Sequence, residues 1–245
     1  MLDFLRICKR YPKRNEVDIY PDFQVLTPSN KPVKDLMIKG NTFYAVWDEE
    51  LNLWSTDPYR AIALIDRELA KYAEEHKNDD NDCVVKISYL KYSSTGSIDR
   101  WNKFVTKQCP DNWHQLDSRL IFSNEEIKRS DYASKQLDSP LEPMDTPNYT
   151  ALTSVLYSPE ELHKIEWAIG SIVTGNSRKL QKFEVLYGSA GTGKGTILDI
   201  ISRLFKGYCC TFEAKALGSA NAQFALEPFK NNPLVAIQHD GDLSR

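Results

Sequence analysis

The stretch that most limits what this chain can fold into is residues 183–204, FEVLYGSAGTGKGTILDIISRL. Its apolar spacing changes at the glycines. Phe183, Val185, Leu186 and Tyr187 make a short β-prone run that stops at Gly188, whereas Ile197, Ile200, Ile201, Leu204 and Phe205 recur at the spacing of one helical face. The pattern predicts strand, turn, helix. Between the two elements stand Gly188, Gly191 and Gly193, then Lys194. Backbone N–H groups and a helix N-terminus spaced in this way surround a phosphate chain, and the lysine reaches its outer end. Glycines suit the task because they take positive φ and carry no Cβ to block an approaching anion. Gly188, Ser189, Ala190, Gly191, Thr192, Gly193, Lys194, Gly195 and Thr196 are therefore the candidate nucleotide-binding set, with Lys194 the candidate catalytic cation. The competing reading is a plain glycine turn with a chance lysine.

One position departs from the usual pattern. A Ser or Thr normally follows the lysine, and here Gly195 does, with Thr196 next. Gly195 has no hydroxyl for Mg²⁺, and Thr196 sits about 100° further around the helix, where it meets an inner phosphate. Thr196 is the remaining hydroxyl candidate for the metal, and a carboxylate must come from elsewhere. The run LVAIQHDGD at 234–242 supplies one: a buried strand, 234–237, delivers Asp240 and Asp242 at its C-terminal edge, where open α/β sheets place their ligands. Asp240 is the first candidate for Mg²⁺ and Asp242 the second, and both are candidate catalytic residues that would orient the attacking water, although Gln238 and His239 intervene. An Asp-Gly turn closing a core strand is the plainer reading.

The 245 residues hold one large or two modest domains, and 41% hydrophobic content suffices for real cores. A net charge of −3 excludes an overall basic protein, so any nucleic-acid contact must come from a local patch. One such patch is Arg6, Lys9, Arg10, Lys13 and Arg14 around Tyr11, a candidate DNA-binding cluster or else a solvated helix end and loop. Five cysteines without a CxxC pair point to a reduced, cytoplasmic setting, and no run approaches a membrane span.

An edge strand broken by Pro21 is predicted over 17–26 and a β-hairpin over 41–54. A helix follows over 55–76, capped by Thr56 or Asp57 with Pro58 in its first turn. Ile62, Ile65, Leu69 and Tyr72 form its buried stripe, and Trp47 and Trp54 are expected to pack against it. A further strand covers 84–90, Ile121 and Phe122 end another, and His114 is given a structural role. Three prolines in 139–149 mark a linker, placed at 140–150, between an N-terminal α+β domain, 1–139, and a second domain, 151–245. Ser158 and Glu161 form a capping box with Pro159 at the first helical position, and Leu162, Ile165, Ile169, Ile172 and Val173 line one face as far as Gly175. Cys209 to Phe212 reads as a strand and Phe224 to Phe229 as a short helix.

With SPEELHKIEWAIGSIVTG, FEVLYGSAGTGKGTILDII, FEAKALGS and NPLVAIQHDGDLSR in view, the run 158–245 resembles the helicase portion of bacteriophage and viral primase-helicases, the superfamily-three group of AAA+ ATPases. FYAVWDEELNLWS and the IDRW and IFSN stretches look more loosely like the region preceding the ATPase in such proteins. The resemblance implies an α/β fold, an N-terminal α+β domain followed by a P-loop, AAA+ like parallel sheet of which the chain holds the N-terminal part. It also implies ATP with Mg²⁺ and a homo-oligomeric ring that moves on single-stranded or forked DNA. The family's sensor residue, arginine finger and DNA-contacting hairpin are expected beyond Arg245, and no priming triad is assigned. Two rivals stay open. A nucleoside monophosphate kinase also uses GKGT, though such enzymes usually begin with that loop, and a non-catalytic replication protein would bind DNA or a partner through residues 6–14.

Overall fold

A computed structural model describes residues 1–25, 33–40, 43–77, 83–92, 96–217, 225–230 and 232–239. The chain is mixed α/β with small sheets, and it divides into two compact units, Met1–Gln115 with Lys128–Ser134, and Leu116–Ile127 with Lys135–Arg245. The expected boundary at 139–150 is thus displaced. Residues 116–127 and 135–139 belong to the second unit because Leu120, Phe122 and Leu137 are buried in its core rather than in the first. No described helix is long and apolar enough to cross a membrane.

In the first unit β1 (Leu5–Lys13) pairs antiparallel with β2 (Glu16–Phe23). A second sheet follows, β3 (Leu36–Lys39), β4 (Phe43–Asp48) and β5 (Leu53–Ser55). The predicted hairpin is present, with Trp47 opposite Trp54. Helix α1 (Pro58–Glu75) starts where Asp57 accepts a hydrogen bond from the Tyr59 N–H at 2.9 Å. Its buried face is Ala61, Leu64, Ile65 and Leu69, slightly rotated from the expected stripe, so Ile62 and Tyr72 lie at its margin. Strand β6 (Val84–Ile87) then pairs parallel with β2 over Glu16–Ile19, which makes β2 the centre of the order β1-β2-β6 and not an edge. Pro21 is tolerated there because it lies past the last residue that β6 pairs, where no N–H is required. Helix α2 (Ser97–Lys103) continues as one π-helical stretch, Phe104–Gln108.

Leu5, Ile19, Val46, Ala61, Leu64, Ile65, Leu69, Trp101 and Phe104 form the core. Trp47 and Trp54 are buried as expected, but against different neighbours. Val46 joins α1 in the core, so Trp47, one residue on, turns to the other face of the sheet. There it meets Trp54 edge-on and lies under the Arg129 guanidinium, while Trp54 Nε1 donates to the Arg129 carbonyl. His114 stacks on Tyr132 at 4.2 Å, in keeping with a structural role.

The second unit carries α3 (Pro147–Leu156), α4 (Pro159–Val173), α5 (Ser177–Leu180), α6 (Lys194–Leu204), β7 (Cys209–Thr211), α7 (Ala214–Leu217) and β8 (Val235–Ile237). The capping box forms in full: Ser158 Oγ accepts from the Glu161 N–H and the Glu161 carboxylate accepts from the Ser158 N–H. That backbone hydrogen bond holds the Glu161 carboxyl below the usual range. β7 and β8 pair parallel, Cys209 with Val235 through Thr211 with Ile237. Ile169, Ile172, Val173, Leu198 and Ile201 pack over them onto Phe205, Tyr208 and Phe122.

Three expectations change here. Ile121 and Phe122 are buried in a segment that is not a strand, and their burial comes from side-chain packing without a ladder. Among 225–230 only Glu227–Phe229 is helical, a single 3₁₀ turn. The run 183–187 lies in no strand: Phe183, Val185 and Tyr187 are 87%, 57% and 94% exposed. A β-prone sequence still needs a neighbour to complete its hydrogen bonds, and no described strand pairs with this one.

Candidate functional site

Residues 188–193 form an irregular loop leading into α6. Its backbone needs glycine at two points, since Gly191 and Gly193 have φ of +79° and +81°. Gly193 is doubly constrained, because a Cβ there would stand 2.8 Å from a methyl of Leu156.

Lys194, the first residue of α6, turns back into the loop. Its ammonium donates to the carbonyls of Gly188 at 2.8 Å and Ser189 at 2.6 Å, and approaches Thr192 Oγ1 at 3.2 Å. Thr192 Oγ1 in turn donates to the Ser189 carbonyl at 3.0 Å. Among the described residues every group bonded to the ammonium is a neutral oxygen, so there its charge is solvated by dipoles and not by a carboxylate. The helix behind it begins without a side-chain cap and without an acidic residue in its first turn. Its first N–H groups thus keep their hydrogen-bonding capacity and the positive end of the helix dipole. Together these features suit an anion with several acceptor oxygens.

Beside the loop lies a cleft of about 430 Å³. Leu156, Tyr157, Glu161, Lys164 and Ile165 form one wall, and 184–188 with Thr192 and Lys194 form the other. Burial, then the nearby Glu161 charge, raises the Tyr157 phenol above its ordinary pKa, so it stays protonated. Its hydroxyl donates to the Gly193 carbonyl at 2.8 Å. No motif marks Leu156 or Tyr157. They precede Gly193 by more than thirty-five residues, and the one local hint is that Tyr157 stands directly before the capping Ser158.

Gly188, Ser189, Ala190, Gly191, Thr192, Gly193 and Lys194 are brought together in one loop, with Gly195 and Thr196 in the first turn of α6. Gly195 faces open space. Thr196 is exposed. The predicted strand 234–237 is present as β8, but only Val235 and Ile237 are buried and Ala236 is exposed, so one face alone is covered. Asp240 and Asp242 lie outside the described residues. His239, just before them, is exposed. Among the described residues no group of three or more His, Cys, Asp or Glu side chains is placed to hold a metal ion.

The basic cluster belongs to the first unit and is a strand rather than a helix end. Arg6 pairs with Asp22, Arg10 Nε donates to Asp18 at 2.8 Å, and Lys13 pairs with Glu16 at 2.8 Å, each across the β1–β2 ladder. Lys9 lies over the Tyr72 ring. Arg14 sits in the turn between the strands. At three of the five positions the expected bare cation is therefore matched by a carboxylate. All five cysteines are free, and burial raises the thiols of Cys209, Cys210 and Cys109, the last to about 11, which keeps them protonated.

Compared with known proteins, the chain matches no family model, no curated sequence and no solved structure.

Proposed function

We propose that the chain binds ATP through the loop 188–196 and hydrolyses it as the ATPase portion of a DNA helicase of the superfamily-three type. The observation that carries the nucleotide reading is the state of Lys194, an ammonium held, among the described residues, by neutral oxygens at the uncapped start of a helix. Phosphate oxygens are stronger acceptors than the two carbonyls and the hydroxyl that hold it in the free loop, so a bound triphosphate replaces them.

Phosphoryl transfer asks little covalent chemistry of a protein and much positioning and charge neutralisation. The amides of Gly191, Thr192, Gly193 and Lys194 hold the phosphate chain, and the Lys194 ammonium neutralises its outer end. Mg²⁺ would add neutralisation across the phosphates. Thr196 and Asp240 are the residues assigned to it, and Asp242 is the second carboxylate. The helicase class, its DNA substrate and a ring of subunits rest on the resemblance of 158–245. In this reading β1 offers DNA no bare cation at Arg6, Arg10 or Lys13.

Fluorescence titration with ATP, for the unsubstituted chain and for Lys194→Ala, tests the site. A charge-assisted hydrogen-bond set of this kind contributes about 1.5–3 kcal/mol, so affinity should fall roughly ten- to a hundred-fold. Lys194 serves its own loop and no core, so the thermal midpoint should stay close to that of the parent. Undiminished ATP affinity in Lys194→Ala would remove the assignment.

A further inference from the structure

The junction between α3 and α4 touches the phosphate loop at one point. Tyr157 is anchored on both sides. Its N–H donates to the Thr153 carbonyl at 2.9 Å, ending α3, and its successor Ser158 is fixed by the capping box of α4. From that fixed origin its hydroxyl reaches the Gly193 carbonyl, while the side chain of the preceding Leu156 fills the space where a Cβ on Gly193 would stand. The Gly193 oxygen already accepts the first intrahelical bond, from the Ile197 N–H at 3.1 Å. The Tyr157 hydroxyl uses its second lone pair.

We infer that Tyr157 is a positioning residue of the phosphate loop, whose hydroxyl fixes the Gly193–Lys194 peptide plane and so aims the Lys194 N–H at the bound phosphate. The inference rests on the nucleotide reading of the loop. In a trans peptide the carbonyl and the N–H point to opposite sides, so holding the Gly193 oxygen on the Tyr157 side turns the Lys194 N–H away from it. That N–H has no intrahelical partner. Gly193, at positive φ and without a side chain, has few restraints of its own, and two external contacts supply them. Leu156 limits the translation of the peptide and Tyr157 its rotation. Both come from a segment that need not itself touch the phosphates, so the α3–α4 junction sets the geometry of the loop from outside.

The test uses the full chain with two probes, ATP and inorganic tripolyphosphate, and with Tyr157→Phe, which removes one oxygen and keeps the ring. Loss of a neutral hydrogen bond of this kind should weaken binding about three- to tenfold. Because the effect is on the phosphate loop, both probes should weaken by the same factor. A second measurement, hydrogen exchange of the free protein at the Ile197 amide, which donates to the same Gly193 oxygen, should show faster exchange at Ile197 in Tyr157→Phe with α4 and β7 unchanged. Equal affinity of variant and parent for both probes overturns the positioning role. So does a loss confined to ATP, which would make Tyr157 a contact of the nucleoside, and so does faster exchange throughout the unit, which would make it a packing residue. If the unsubstituted chain binds neither probe, the nucleotide reading fails and takes this inference with it.

Discussion

Strand β1 and the loop before α6 each place basic side chains on a short exposed stretch, and they treat those charges in opposite ways. On β1 the partner strand presents a carboxylate opposite Arg6, Arg10 and Lys13 in direct register. Asp18 is buried and also accepts from Ser88 Oγ at 2.8 Å, so its ion pair is held from two sides. At the loop Lys194 meets, among the described residues, carbonyl and hydroxyl oxygens. At three of its five cationic positions β1 is thus already paired, and what an incoming anion sees is charge left after local pairing.

That contrast can be broken from the loop side first. Gly193→Ala puts a Cβ at positive φ and against Leu156, a backbone cost of about 1–2 kcal/mol, with the loop distorted as well. A lowered thermal midpoint together with roughly tenfold weaker ATP binding is expected, and unchanged binding would show that loop shape matters less than the lysine. From the other side, Asp18→Asn combined with Asp22→Asn should strip two partners from β1 while costing about 2–3 kcal/mol of stability, most of it at the buried Asp18. Salt-dependent binding to single-stranded DNA should then appear or strengthen, with a log–log slope steeper by about 1.4, the value for two phosphates neutralised. An unchanged slope would mean that pairing is not what silences the strand. The smallest effect concerns Gly195, whose missing Cβ faces open space at an ordinary helical position. Gly195→Ser should raise stability by about 0.5 kcal/mol and make ATP binding more dependent on Mg²⁺; loss of stability would show that the position is less open than its surroundings indicate.

Legibility in the sequence followed the range of each interaction. The Asp57 cap, the Ser158–Glu161 box, the hairpin joining Trp47 to Trp54 and the glycines of the loop are set within a few residues, and each is where the residues predict. The parallel pairing of β6 with β2, the burial of Leu120 and Phe122 in the second unit and the hydrogen bond from Tyr157 to Gly193 join residues far apart in the chain, and nothing local announces them. The run 183–187 shows the converse. Its composition favours a strand, yet a strand is a relation between two segments, and one of them cannot form it alone. The carboxylates at Asp240 and Asp242 lie outside the described residues.

The path of the chain, which passes from the first unit to the second at Gln115, back at Lys128 and out again at Ser134, bears on how the protein is made. A ribosome delivers residues in order, and domains generally fold as they emerge. Here the Trp54 indole waits for the Arg129 carbonyl and its backbone N–H for that of Ala133. Leu120 and Phe122, which serve the other unit, are already outside by then, and the core they join is complete only when Phe205, Tyr208, Val235 and Ile237 follow. The nascent chain therefore carries a short apolar segment whose core stays incomplete until β8 is made, and that interval is when it is most exposed to mispairing.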